Sequence, residues 1–152
     1  MKNLYKLDRV TLVAVFLVYA FSEITAMFLS NKNLSSAPSV GKWMELGIYT
    51  VALIISFVIY YGVMYFILKN NESDFQTTIF INIAIGLTVI AILAIIAGLV
   101  TDKSLNIWTK GIFGLLGNGL TAALNWRYLN VSQASKIKVC VLTVIYFVIS
   151  LI

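Results

Sequence analysis

Hydrophobic residues fall in long runs that are separated by short polar segments. Three of these runs hold about twenty or more mostly apolar residues, enough to cross roughly 30 Å of hydrocarbon at about 1.5 Å per residue. The pattern therefore predicts three membrane-spanning α-helices, at residues 10–29, 46–68 and 78–100. A short polar connection, 69–76, predicts a turn between the second and third spans.

The connection between the first two predicted spans covers residues 30–45. It contains the only proline of the chain, Pro38, with serine, asparagine and glycine around it. This composition is typical of an exposed loop, because these residues favour turns over regular helix.

The last third of the chain is harder to divide into spans. Residues 107–126 are apolar but interrupted by glycines and asparagines, which predicts either a fourth span or a re-entrant hairpin. Residues 137–152 are strongly apolar but short, so they span only if the bilayer thins locally or Lys138 reaches the headgroups. The chain thus predicts an all-α integral membrane protein, a bundle of four to five transmembrane helices in one domain over residues 1–152.

The distribution of lysine and arginine predicts a cytoplasmic N-terminus, because cytoplasmic loops carry an excess of these residues. If residues 107–126 did not cross, the bias would reverse unless the N-terminus were outside. A four-span layout, with 137–152 lying in the inner interface, satisfies the rule as well as five spans, and both stay open, with five ahead. With five spans, the inner residues are Lys2, Lys6, Arg9, Lys69, Arg127, Lys136 and Lys138, and the outer ones are Lys32, Lys42, Lys103 and Lys110.

Composition supports a membrane environment. The chain is 61% hydrophobic and 11% charged, with a mean hydropathy of +0.95, whereas a soluble domain is nearer half apolar and a quarter charged. The net charge is +5, and most of the charged residues lie beside the apolar runs. We therefore expect membrane lipid as a partner and no nucleic acid. The abundance of isoleucine, asparagine and lysine favours a bacterium, and we expect a multi-pass protein of the bacterial inner membrane.

Glu23 is the one ionisable side chain well inside a predicted span. A carboxylate at mid-helix costs about 2.5–3.5 kcal/mol on insertion scales, so it should face protein or water and be paired or protonated. Tyr19, Ser22, Glu23 and Ala26 share one helix face through their spacing of three and four residues. Two interpretations stay open, a proton or cation site that lines a pathway and a carboxyl group that joins helices.

Small and polar residues form a continuous seam along residues 107–126. Small residues let helix backbones approach closely in a membrane, and asparagine or threonine bonds across the contact. The seam therefore favours helix packing, within the bundle or between protomers, over a water-filled pore lining. The seam consists of Gly111, Gly114, Asn118, Thr121 and Asn125, and a second small-residue seam in the third span consists of Ala84, Ala91, Ala94 and Gly98.

The second predicted span is rich in bulky aromatic residues. Tyrosine stripes can bind ligands, but contact with lipid and anchoring at the interface explain this one more simply. We therefore expect lipid contact for Tyr49, Phe57, Tyr60, Tyr61, Tyr65 and Phe66.

The sequence argues against an enzyme. It has no histidine, the commonest general base and metal ligand, and no nucleotide or nucleophile motif. Its six acids form no pair on one helix face, and Glu72 and Asp74 share an exposed turn where we expect them to be solvated. We expect the single cysteine, Cys140, to be a small buried apolar residue. We expect no catalytic residue, no metal and no cofactor.

In size, basicity and lack of soluble domains the chain resembles several kinds of small bacterial inner-membrane proteins. These are colicin-type immunity proteins, exclusion proteins of conjugation systems and the membrane subunits of phage-defence systems; the resemblance is architectural, and architecture does not imply function. We expect first a non-enzymatic membrane subunit that forms a homo-oligomer through the seam in 107–126 and docks a protein partner at the cytoplasmic face. The alternative is a small ion or proton channel or transporter subunit, in which Glu23 and the Asn118 seam line the pathway and the oligomer supplies the pore.

Overall fold

The structure, a computed structural model, describes residues 8–30, 39–70, 72, 75–101 and 105–151. Within these residues the chain forms five α-helices and no strand, so the predicted all-α class is confirmed. The helices are α1 (Arg9–Ser30), α2 (Ser39–Leu68), α3 (Gln76–Val100), α4 (Ile107–Tyr128) and α5 (Gln133–Ile149).

Three helices, α1, α2 and α3, are long and apolar enough to cross a bilayer, and the chain is therefore a membrane protein. Helix α4 has 22 residues, a length of about 33 Å, but it is less hydrophobic on average than the first three. Helix α5 has 17 residues, a length of about 25 Å, which is shorter than a typical hydrocarbon core of about 30 Å.

Local sequence explains where several helices begin. At the start of α1, the Thr11 amide donates a 3.0 Å hydrogen bond to the Asp8 carboxylate, and the Thr11 hydroxyl donates to the same oxygen. These bonds lower the pKa of Asp8 below its usual value, and a carboxylate also complements the positive end of the helix dipole. Asn106 and Ser132 cap α4 and α5 in the same way, each accepting from the amide three residues later.

The structure corrects one predicted loop and decides between two predicted shapes of another segment. Helix α2 begins at Ser39, so the last part of the predicted loop 30–45 is helical, while residues 31–38 lie outside the described part. The loop prediction was wrong there because the helix continues beyond the apolar run, into a segment that also holds polar residues. Helix α4 is continuous over Ile107–Tyr128, so the described chain has no re-entrant hairpin at this position.

The helices alternate in direction, which gives the bundle two distinct ends. We call the end that holds the starts of α1, α3 and α5 the basic end, and the other the opposite end. Of the described lysine and arginine residues, five lie at the basic end and two, Lys42 and Lys110, at the opposite end. The five are Arg9, Lys69, Arg127, Lys136 and Lys138.

Helix α3 makes the most extensive contacts with its neighbours. It packs along α1 on one side and α4 on the other, and α5 packs on the outer side of α4. Helix α2 contacts α1, α3 and α5 and so closes the five helices into a ring. Each helix consequently presents one side to a common interior.

Small residues bring α3 close to both of its main neighbours. A Cβ atom on Gly86 would lie 2.7 Å from the Gly117 carbonyl oxygen, and one on Gly117 would lie 2.5 Å from the Gly86 carbonyl oxygen. At Gly98, a Cβ atom would lie 3.0 Å from the Leu29 carbonyl oxygen of α1. Because lipid tails are as apolar as leucine, close backbone approach of this kind is a main source of helix association in a membrane.

Helix α2 lies farther from its neighbours, and aromatic rings fill the gap. Phe57 and Tyr60 are 2% and 3% exposed, so the expectation of lipid contact is wrong for them, although Phe66 is exposed. Phe57 packs against Phe16 of α1 and Phe80 of α3, with ring centroids 5.0 and 5.2 Å apart. Rings are needed here because smaller side chains would leave voids between widely spaced helices. We call Phe16, Phe57 and Phe80 the aromatic layer.

Candidate functional site

A cavity of about 810 Å³ lies between the five helices, in the half of the bundle nearer the opposite end. This volume is within the range of about 300–1,000 Å³ that is typical of sites for organic ligands. Every helix contributes side chains to its wall. Those used below are Tyr19 and Glu23 from α1, Glu45, Tyr49 and Ser56 from α2, Leu87 from α3, Lys110, Phe113, Gly114 and Asn118 from α4, and Tyr146 from α5.

The cavity is closed toward the basic end. Tyr60 of α2 and Tyr146 of α5 stack with ring centroids 3.7 Å apart and an interplanar angle of 3°. The Tyr60 hydroxyl also donates a 3.5 Å hydrogen bond to Asn118 Oδ1 of α4. The aromatic layer continues this closure between α1, α2 and α3. The cavity is thus one-sided, with its exposed rim residues, Glu45 and Lys110, at the opposite end.

Glu23 is the functional side chain that the sequence singles out, and it faces this cavity. Its carboxylate accepts a 3.3 Å hydrogen bond from the Tyr49 hydroxyl of α2. Glu23 is seven residues from the end of α1 at Ser30, which places it about 10 Å below that helix end. Among the lining residues below the rim it is the one acidic or basic side chain. A single carboxylate in a protein-lined cavity attracts cations more strongly than it would in bulk water, because the surroundings screen it less.

The other residues of the predicted α1 stripe separate into two groups. Tyr19 and Ala26 line the cavity with Glu23. Ser22 is not among the lining residues, and its hydroxyl donates a 2.8 Å hydrogen bond to the Val18 carbonyl of the same helix. The stripe that faces the cavity is therefore narrower than the sequence pattern suggests, and Ser22 lies on its flank.

The α4 seam faces the interior of the bundle and divides along its length. Gly114 and Asn118 line the cavity, whereas Thr121 and Asn125 are buried, and Thr121 bonds to α3. Gly111 lies near the end of α5, because an added Cβ would be 3.7 Å from Leu151, which follows that helix. In the described structure the seam is covered by helices of the same chain.

Two buried asparagines connect α3 and α4 below the cavity. Asn82 Nδ2 donates a 2.8 Å hydrogen bond to Asn125 Oδ1, and the Thr121 hydroxyl donates to the Asn82 carbonyl at 3.4 Å. Within the described chain, Asn125 Nδ2 has no hydrogen-bond partner. Asn82 was not predicted as a site residue, although a lone side-chain amide inside the apolar run of α3 is itself a signal, because it must find a partner away from lipid.

Glu72 lies in the connection between α2 and α3 and joins it to α5. Its Oε1 atom accepts from the Ser132 amide at 3.0 Å, the Ser132 hydroxyl at 2.6 Å and the Ser135 hydroxyl at 2.7 Å. The expectation that Glu72 is simply solvated is therefore wrong. The hydrogen bonds from Ser132 and Ser135 hold the pKa of Glu72 below its usual value, because they favour the charged form.

No protein-family model, no curated protein and no solved structure is significantly similar to this chain. Within the described residues, no three histidine, cysteine, aspartate or glutamate side chains are grouped so that they could hold a metal ion. The chemistry of the candidate site is consequently that of Glu23, the tyrosines around it and Asn118.

Proposed function

We propose that this protein is a non-enzymatic, multi-pass membrane transporter subunit that takes up a cation or proton into the cavity, with Glu23 as the binding group. The observation that supports this proposal is that Glu23 of α1 and Asn118 of α4 line one cavity to which all five helices contribute. Intramembrane carboxylates that face an interior cavity commonly mark ion and proton pathways.

The charge of the cavity favours a cation over an anion. Below the rim, Glu23 is the acidic or basic group among the lining residues, and the other polar atoms there are hydroxyls and an amide. A hydroxyl or amide oxygen can turn toward a cation and supplement the carboxylate. An anion would meet repulsion from Glu23 without a positive partner at that depth.

The closed floor favours a transporter over an open channel. The stacked Tyr60 and Tyr146 rings and the aromatic layer fill the bundle between the cavity and the basic end. A solute that enters from the opposite end therefore stops at mid-bundle until the packing changes. Such one-sided access is what alternating-access transport requires of each of its states.

The proposed topology is five crossings with a cytoplasmic N-terminus in a bacterial inner membrane. Helix α5 returns along α4, and Leu151, which follows α5, would lie 3.7 Å from a Cβ atom on Gly111 near the start of α4. This return supports a fifth crossing over a segment that lies in the inner interface. The excess of lysine and arginine at the basic end supports a cytoplasmic location for that end.

Partner docking and homo-oligomer formation stay predictions. The seam from which self-association was expected is covered by α3 and α5 of the same chain in the described structure. An oligomer would accordingly need another surface, and the cavity is formed without one. Uptake into the cavity is thus the function that the geometry supports best.

The test is transport by the purified protein in liposomes of bacterial lipid. Under an imposed gradient and membrane potential, we expect uptake of a cation by the native chain, measured separately for protons, K⁺ and tetraethylammonium. Glu23→Gln keeps the shape of the side chain but removes its charge, and we expect at least a tenfold loss of rate, about 1.4 kcal/mol of barrier. The matched control is Asp8→Asn, which removes a carboxylate of the same helix outside the cavity and keeps a good helix cap.

The oligomer size and helix content of each variant are measured in the same preparation. Transport that is lost in Glu23→Gln and kept in Asp8→Asn supports the proposal. Equal transport by all three chains, or tight vesicles with the correctly folded native protein under every gradient, would refute it.

A further inference from the structure

We infer that the solute of the cavity is an organic ammonium ion, held by the Glu23 carboxylate among tyrosine rings. This inference rests on the proposed function and adds to it the chemical class of the cation. Three independent features of the described cavity support it, namely its volume, its aromatic wall and the position of its charges.

Volume separates an organic cation from an inorganic one. A metal cation is held by a close shell of oxygen ligands, six to eight of them at about 2.3–2.6 Å in the case of Ca²⁺. The cavity of about 810 Å³ is far larger than such a shell, and among its described lining residues Glu23 is the one carboxylate below the rim. A drug-sized organic molecule fits this volume without leaving most of it to water.

Aromatic rings line the cavity from four of the five helices. Tyr19 of α1, Tyr49 of α2, Phe113 of α4 and Tyr146 of α5 all contribute to the wall. The face of an aromatic ring attracts an ammonium group and also packs against its alkyl substituents, which an inorganic ion lacks. Tyr49 is placed for both interactions, because its hydroxyl bonds to Glu23 and the residue is part of the cavity wall.

The charges are placed so that a cation is held deep in the cavity. At the rim, Glu45 and Lys110 have opposite signs, and both are exposed to solvent. Deeper in the wall, the acidic group is Glu23. An organic molecule with one positive centre can therefore place that centre at Glu23 and its apolar part against Leu87 and the rings.

The experiment measures the binding of tetraethylammonium to the purified full chain in neutral detergent micelles by calorimetry, with KCl at the same ionic strength as the comparison. We expect saturable binding of tetraethylammonium and none of K⁺. Glu23→Gln should weaken binding at least tenfold, while Asp8→Asn should leave it unchanged. Tetraethylammonium that merely enters the micelle would be taken up equally by the native chain and Glu23→Gln.

A matched pair at Tyr49 tests the role of the ring. Tyr49→Phe keeps the ring and frees the carboxylate from its hydroxyl partner, so binding should be as tight as in the native chain or tighter. Tyr49→Leu removes the ring, and we expect binding about threefold weaker or worse. Equal binding by Tyr49→Leu and Tyr49→Phe would remove the tyrosine ring from the inference.

The outcomes separate the inference from the proposed function. If liposomes show proton or K⁺ transport that needs Glu23 but tetraethylammonium neither binds nor competes, the organic cation is wrong and the transporter proposal stands. If tetraethylammonium binds through Glu23 and no vesicle shows transport of it or of ions, the site is correct and the transporter proposal is wrong. If Glu23 affects neither binding nor transport, both are refuted.

Discussion

A single pair of side chains, Asn82 and Asn125, joins α3 to α4 inside the bundle through a hydrogen bond of 2.8 Å. Asn82 and Asn125 are 0% and 1% exposed, so neither amide can exchange its partner for water. Replacing Asn82 by leucine would leave the Asn125 amide buried with even fewer partners than it has now. Buried polar groups without partners cost about 1–3 kcal/mol in proteins, and polar pairs in membranes are worth somewhat less.

We therefore expect Asn82→Leu to lower the stability by about 1–2 kcal/mol, seen as a drop of about 2–8 °C in the unfolding midpoint in detergent. The double variant Asn82→Leu with Asn125→Leu should recover part of this loss, because it removes both polar groups together. Asn130→Leu, at an exposed position, is the control for replacing an asparagine. If the double variant were less stable than Asn82→Leu by the full cost of a second substitution, the two amides would be independent.

At the scale of whole elements, the hydrogen bonds of Glu72 join a connection between two helices to a third helix. Glu72 fixes the connection between α2 and α3 against the first turn of α5, at the basic end. The pKa of Glu72 is lowered in the folded protein from its usual 4.5. Its contribution to stability is consequently complete above about pH 4.5 and is lost as the pH falls through the lower folded value.

We expect the stability difference between the native chain and Glu72→Gln to depend on pH. The native chain should be more stable at pH 7, and the difference should shrink below about pH 4.5 as the carboxylate is protonated. Unfolding midpoints in detergent from pH 7 to pH 3 measure it. In a Ser135→Ala background, where one donor to Glu72 is absent, the same substitution should have a smaller effect. A difference that grows toward low pH would contradict the assigned sign.

The sequence predicted where the helices lie along the chain better than which helices pack together. Long apolar runs mark helices because a membrane leaves no other way to satisfy the backbone, and α1, α3 and α4 begin within two residues of the predicted segments. The pattern also placed Glu23 and Asn118 on interior faces. It could not show that they face one cavity, since the pairing of α2 with α1, α3 and α5 depends on contacts between distant residues. It assigned Phe57 to lipid because a ring of the right size to fill a wide gap looks the same in sequence as one that faces lipid.

The two ends of the whole molecule differ in charge, and this difference links its topology to its proposed function. The cavity rim lies at the opposite end of the bundle, whereas five of the described basic side chains lie at the basic end. If the basic end is cytoplasmic, the cavity opens away from the cytoplasm, and under the proposed function the protein is ready to take up its solute from outside. The number and direction of crossings are therefore part of the functional proposal, and they can be measured without any substrate.

Three single cysteines in a Cys140→Ala background test the number and direction of crossings. Gly41→Cys at the start of α2, Ser150→Cys after α5 and Asn130→Cys between α4 and α5 are all at exposed positions, and an added Cβ at Gly41 meets nothing within 4 Å. A membrane-impermeant maleimide should label Gly41→Cys and Ser150→Cys on intact cells, and Asn130→Cys only after the membrane is opened. Labelling of Ser150→Cys together with Asn130→Cys would place α5 at the inner interface and leave four crossings. The exact reverse pattern would keep five crossings but turn the cavity toward the cytoplasm, so that the same Glu23 site would collect its cation from inside the cell and release it outward.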